Sequence, residues 1–265
     1  MPTFLHPLWG YELSYPENWV HETTEDGTEV FGPDPALQEA NDLAPEAVQL
    51  LIRSEWNSTG RSIGPIWNQH VAMAAGMMGA KKVGSAPWRM GGGIGIEAEI
   101  ALPKHENLRL WTGILTRGWI VLKFSVTHIK EERSRFEPIV TRIISSLKFI
   151  DSVSGLVVNG QGLPVPPAYT AVDPLKVISD IANPDQWVAY DGGSGIDALQ
   201  CFYARELENY GWAVQDYIPF PGTSSLGFAR FELSKNEQTG TLGLLPFGKE
   251  TVTPSSPAKI VFKLH

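Results

Sequence analysis

LRLWTGILTRGWIVLKFSVT, residues 108–127, decides how the first half of this chain folds. Two β-rich runs, Leu108–Thr116 and Trp119–Thr127, flank Arg117-Gly118. Strand-forming residues on both sides of a Gly-containing break read as an antiparallel hairpin. Gly95–Leu102 reads as a third strand beside it. Downstream, Phe136, Ile139, Val140, Ile143, Ile144 and Leu147 recur at helical spacing. Pro138 is expected in that helix's first turn, because deeper inside a Pro costs about 3 kcal/mol.

Upstream, Tyr11, Leu13 and Tyr15 alternate as a half-buried strand ended by Pro16. Trp19-Val20 and Glu29–Phe31 read as strands around an Asp26-Gly27 turn. Val48–Arg53 reads as a further strand. In Pro65–Met78, residues Ile66, His70, Val71, Ala74 and Met78 share a helical face, with Pro65 in the first turn and Gly79 at the end.

Asp151–Tyr169 (DSVSGLVVNGQGLPVPPAY) is rich in Gly, Pro and Ser and lacks a helical period. It reads as a linker. The expected division is a domain over residues 1–150, a linker over 151–169 and a smaller domain over 170–265. In the latter, Gly195–Tyr210 is the strong helix. Ser194 is its expected N-cap, with Asp197 three residues on, and Gly211 its left-handed terminator. Trp187–Tyr190 precedes it as a strand. Trp212–Ile218, Leu226–Leu233, Gly240–Leu245 and Lys259–Leu264 follow, the last three as an antiparallel meander. A short helix near Pro174–Ile181 is expected, capped by Asp173. Each half is therefore α+β, an antiparallel-rich sheet packed by one or two helices.

The chain has 265 residues, 43% of them hydrophobic, and a net charge of −8. Both halves are acidic, which argues against nucleic acid as a partner. No run approaches the ~18 apolar residues of a membrane helix. One Cys, Cys201, excludes an internal disulfide or a Cys-rich metal centre. The first residues carry no basic and apolar leader pattern, so a cytoplasmic location is expected. An extracytoplasmic protein whose signal has been removed is the alternative.

The first half resembles the PsbP-like superfamily, which includes a Ran-binding nuclear import factor and many bacterial proteins. The residues that carry this are Tyr11-Glu12-Leu13-Ser14-Tyr15-Pro16-x-x-Trp19 and Phe136-x-x-Ile139-Val140-x-x-Ile143-Ile144-Ser145-Ser146-Leu147-Lys148-Phe149. The resemblance covers about residues 8–150. It implies an α/β/α sandwich and a binding or assembly role, with no residues of the photosystem role to transfer. The second half is similar to a small module of uncharacterised bacterial proteins, through Phe202-Tyr203-x-x-x-Leu207-x-x-x-Gly211-Trp212 over roughly residues 165–265. That similarity implies no activity.

No catalytic residue is assigned. Gly91-Gly92-Gly93-Ile94-Gly95 leads into a β-like run, not a helix, so it reads as a hairpin or bulge rather than a phosphate loop. Ser194 is explained by capping and Cys201 by packing. His21-Glu22, His105-Glu106 and His128 have no metal-ligand spacing, so no metal and no cofactor is expected. Glu97 and Glu99 lie two apart, on one strand face, and read as solvated.

The binding candidates are Trp67, His70, Trp88, Arg89 and Trp111. Trp rings anchor cores and interfaces, and Trp88-Arg89-Met90 reads as a loop where a ring is hard to bury. The leading expectation is a non-enzymatic binding or assembly protein, with a protein or small apolar ligand near Trp88, Arg89 and the central helix. One alternative is a ligand-binding protein or enzyme with a pocket between helix and curved sheet, or between domains, lined by Trp67, His70 and Trp111. Another is a structural homodimer paired along a strand edge.

Overall fold

The computed structural model describes the chain apart from residues 34–47, 79–80, 83, 91, 103–105, 223–225 and 249–250, and apart from the side chains of 74–78 and 81–82. The expected helix terminator Gly79, the first glycine of the Gly91–Gly95 run and His105 fall outside the described residues. The fold is α+β, built mostly of antiparallel strands with three α-helices among the described residues. Contacts divide it into two compact units, Met1–Leu5 with Tyr11–Phe149, and His6–Gly10 with Ile150–His265.

The first unit holds β1 (Thr3–His6), β2 (Tyr11–Ser14), β3 (Val20–Thr23), β4 (Glu29–Gly32) and β5 (Val48–Trp56). There follow α1 (Ile63–Met78), β6 (Lys81–Lys82), β7 (Ala86–Met90), β8 (Gly93–Ala101), β9 (Leu108–Arg117) and β10 (Ile120–Ile129). It closes with α2 (Arg133–Ser145) and β11 (Lys148–Phe149). The large sheet runs β3-β4-β5-β10-β9-β8-β6, with β7 also on β8, and a small sheet runs β1-β2-β11.

The hairpin of the opening stretch forms as an antiparallel pair. Ile120 pairs with Arg117 and Ile129 with Leu108. Its turn is Gly118-Trp119, with Gly118 at φ +58°, a conformation that glycine adopts without a Cβ penalty. Strand periodicity then sorts the side chains of this sheet. Ile66 and Trp67 of α1 pack with Ala98, Ile114 and Val121. Glu97, Glu99 and Trp111 alternate with those positions and so project from the other face. There the buried Phe136, Val140, Ile143 and Ile144 stripe of α2 lies.

Two expectations for this unit need correction. Pro138 sits in the second turn of α2, not the first, because the helix starts at Arg133. A Pro there leaves the Ser134 carbonyl without its helical donor, but Ser134 and Pro138 are both exposed, so water supplies one. Trp88-Arg89-Met90 is not a loop: it is part of β7, paired with β8 from Ala86↔Glu97 to Met90↔Gly93.

The second unit holds β12 (Val157–Val158), β13 (Pro164–Val165), β14 (Thr170–Val172), β15 (Trp187–Asp191), α3 (Ile196–Asn209), β16 (Ala213–Ile218), β17 (Ala229–Lys235), β18 (Gln238–Pro246) and β19 (Ala258–Leu264). Its six-stranded sheet runs β14-β15-β19-β18-β17-β16, and β16 to β19 are an antiparallel meander. Within Asp151–Tyr169, β12 pairs with β13 and Leu163 is fully buried. Asp173 caps a single 3-10 turn, Pro174–Lys176, through its carboxylate and the Leu175 N–H.

The start of α3 differs from expectation. Gly195, not Ser194, is the N-cap, and no side chain caps it. The amides of Ile196 and Asp197 instead donate to the carbonyls of Ser256 and Pro254. A returning loop thus satisfies the helix end that a serine hydroxyl serves elsewhere. The other end is as expected. Gly211 lies at φ +79°, and Trp212 donates its backbone N–H to Leu207 and buries its ring.

Candidate functional site

Trp88 enters the sheet's α2 face from β7. Its ring meets Trp111 edge-on, with centroids 5.6 Å apart at 87°, and Phe124 at 5.2 Å and 81°. The backbone makes room for it. A Cβ at Gly95 would stand 3.0 Å from the Trp88 ring, and one at Gly113 3.2 Å from it. Gly92, at φ +80°, lies between β7 and β8. Gly95 and Gly113 therefore let the Trp88 indole pack against the sheet.

Beneath α2 these rings border a cavity of about 550 Å³. Trp88, Met90, Trp111 and Val126 line it from the sheet, and Phe136, Val140 and Ile144 from α2. Its polar lining includes Glu97, Glu99, His128, Arg133 and Glu137. Volume and lining match a small-molecule site, apolar with a few placed polar groups.

The charged groups are unequally matched. Arg133 bonds Glu137 at 3.0 Å and Glu99 at 3.0 Å, and Arg109 stands 3.6 Å from Glu99. Hydrogen bonding to Arg133 holds the Glu137 carboxyl below the usual range. Glu97 is different. It accepts the Trp111 indole N–H, Nε1 to Oε2 3.1 Å. Among the described residues it has no ion pair. The Nδ1 of the buried His128 lies 2.8 Å from the Ile129 carbonyl, so Nδ1 carries the proton of that hydrogen bond.

The structure brings together only two of the five candidate residues. Trp88 and Trp111 line the cavity. Arg89, one residue on along β7, is exposed and projects from the opposite side of the strand. Trp67 and His70 pack on the sheet's other face. Trp67 is 4% exposed within the core. The expected pocket lined by Trp67, His70 and Trp111 does not form, because Thr112, adjacent to Trp111 in β9, is the residue that bonds His70. Sequence reasoning missed the site's α2 wall, and it read Glu97 and Glu99 as solvated when both are half-buried. The available signal was Trp111 two positions from Gly113, beside acids at alternate positions of the preceding strand.

The remaining sequence candidates have structural partners. His21 stands 2.5 Å from the buried Glu29. Cys201 is fully enclosed and near the Trp9 carbonyl, and burial pushes its thiol up to about 12. Among the described residues no group of three His, Cys, Asp or Glu side chains is placed to hold a metal ion. No helix among them is long and apolar enough to cross a membrane.

No known family model matches the chain, and no curated protein does. Solved structures do resemble it. The cyanobacterial PsbP of Synechocystis sp. PCC 6803 is 12% identical with a TM-score of 0.43, over 56% of this chain and 91% of its own. LpqN of Mycobacterium tuberculosis, involved in cell envelope biogenesis, is 12% identical with a TM-score of 0.39, over 53% of this chain and 83% of its own. A Bacteroides thetaiotaomicron VPI-5482 protein is 11% identical with a TM-score of 0.38, over 95% of this chain and 88% of its own.

Proposed function

We propose that this chain is a non-enzymatic binding protein, and that its first unit is a PsbP-like domain holding a small ligand between α2 and the large sheet. The observation that carries the reading is the cavity walled by Trp88 and Trp111. The two motifs of the resemblance support the domain assignment, since they fall on elements that pair: Lys148 sits opposite Glu12, and Phe149 opposite Tyr11. Ser146 joins them further. Its Oγ accepts the Ser14 N–H at 2.8 Å and donates to the Ile143 carbonyl at 2.6 Å.

A binding role is favoured over catalysis by what the polar groups are doing. Thr112 donates its hydroxyl proton to the Phe124 carbonyl at 2.8 Å. It must therefore accept from His70 at 2.7 Å, which makes His70 a donor there and not a base that activates the hydroxyl. A cytoplasmic location, with an extracytoplasmic one as the alternative, belongs to the same proposal and is tested by cell fractionation.

The experiment is a small-molecule screen on the full chain, followed by intrinsic tryptophan fluorescence and thermal shift. Hits should lose binding in Trp88→Ala and keep it in Arg89→Ala, whose side chain points away. Hits that bind Trp88→Ala as well as the parent would refute the site.

A further inference from the structure

Resting on the reading of that cavity as a ligand site, we propose that its ligand is an amphiphilic organic cation. The ammonium group would sit at Trp88, Trp111 and Glu97. An apolar tail would lie along Val126, Val140 and Ile144.

Three observations carry the assignment. The two indoles stand nearly perpendicular, at 87°, so they wall a corner with π-systems on two sides. Aromatic corners of this kind hold alkylated ammonium groups, because the ring quadrupole attracts a cation that is too poorly hydrated to prefer water. Next, the carboxylates of the cavity are not equivalent. Those of Glu99 and Glu137 are engaged by Arg133. The Glu97 carboxylate takes one neutral hydrogen bond, from Trp111, and among the described residues no cation neutralises it. A half-buried carboxylate left with a neutral donor keeps its charge available to a positive ligand. Last, the cavity at about 550 Å³ far exceeds an ammonium head alone, and Val126, Val140 and Ile144 give it an apolar lining beyond the two indoles.

An anion fits poorly here. It would have to displace Glu99 or Glu137 from Arg133 and approach Glu97 as a like charge. A neutral apolar ligand would gain from the walls but nothing from Glu97.

The test uses three probes on the full chain: hexyltrimethylammonium, hexanol and hexanoate, by calorimetry and tryptophan fluorescence. The cation should bind about tenfold or more tighter than hexanol, and hexanoate weakest. Glu97→Gln keeps the acceptor for Trp111 and removes the charge. It should lose about tenfold in cation affinity and keep hexanol affinity within about twofold. Glu132→Gln removes one negative charge from a residue that pairs with Arg135 and does not line the cavity, and should change cation affinity by less than about twofold. Hexanol binding as tightly as the cation, or Glu97→Gln leaving the cation unaffected, would overturn the cation assignment and leave the ligand site standing. Failure of all three probes to bind the folded protein would overturn the site itself. Should Glu97→Gln not fold, the ranking of the three probes on the parent chain decides.

Discussion

Thr112 and His70 are joined at 2.7 Å across the face of the sheet that α1 covers. The hydroxyl's proton is committed to Phe124, so the imidazole nitrogen at this contact carries the hydrogen. Burial, reinforced by nearby Lys123, pulls the His70 pKa from the usual 6.5 down to about 4. The unfolded chain thus takes up the proton first. Stability is fully present above about pH 6.5, falls as pH drops toward about 4, and levels off below that. The loss attributable to His70 is at most about 3 kcal/mol. Urea unfolding at stepped pH should display it, and His70→Gln, which still donates to Thr112, should flatten that part of the profile. An unchanged profile would remove His70 from the account.

Gly95 and Gly113 are both needed under Trp88, but not equally. A methyl at Gly95 would stand 2.4 Å from the Ile114 carbonyl oxygen, whereas one at Gly113 would meet ring atoms of Trp111 and Trp88 at 3.2 Å. Backbone cannot give way as a side chain can. Gly95→Ala should therefore cost more, about 2–3 kcal/mol against about 1 kcal/mol for Gly113→Ala. Both should shift the tryptophan emission. Equal costs in denaturant would contradict this packing.

The strands and helices were largely legible in the chain because their periods are local. The Leu108–Thr127 hairpin and the Gly211 terminator rest on residues within a few positions of each other. What failed needed distant partners. Ser194 looked like a cap, yet the α3 amides are met by carbonyls some sixty residues on, at Pro254 and Ser256. Glu97 and Glu99 looked solvated because nothing in β8 itself announces α2 above them. Trp88 looked like a loop residue because its strand is short and flanked by Gly and Pro. Of the site, the sequence pointed to the two indoles but not to the wall opposite them.

Tyr203 and Tyr169 are a natural pair for weighing a buried hydroxyl. The Tyr169 hydroxyl donates to the Ala258 carbonyl at 2.9 Å. That of Tyr203 is fully buried and has no partner among the described residues. Removing a satisfied group leaves its acceptor unpaired, whereas removing an unsatisfied one relieves a desolvation cost. Tyr169→Phe should lose about 1 kcal/mol, and Tyr203→Phe should be neutral or gain up to about 1 kcal/mol. Thermal unfolding of the two variants tests the order. A reversed order would mean that the Tyr203 hydroxyl has a partner after all.

Arg205 and Glu206 anchor the start and middle of the chain to α3 inside the second unit. Glu206 is completely buried. Its carboxylate meets Arg205 at 2.8 Å and takes the Val153 N–H at 3.0 Å and the Ser152 hydroxyl at 3.0 Å. Arg205 in turn donates to the Leu8 carbonyl at 3.0 Å and the Pro7 carbonyl at 2.5 Å. Gly10 has to be glycine here, since a Cβ would stand 2.1 Å from the guanidinium and φ is +66°. Replacing the arginine strands a buried negative charge and frees two carbonyls. Arg205→Leu should therefore cost about 3–5 kcal/mol. Hydrogen exchange should speed up at Val153 and in the last turns of α3. The added Glu206→Gln change, which removes the stranded charge, should restore part of the loss. If the double variant is less stable than Arg205→Leu alone, the charge is not what makes the single change costly.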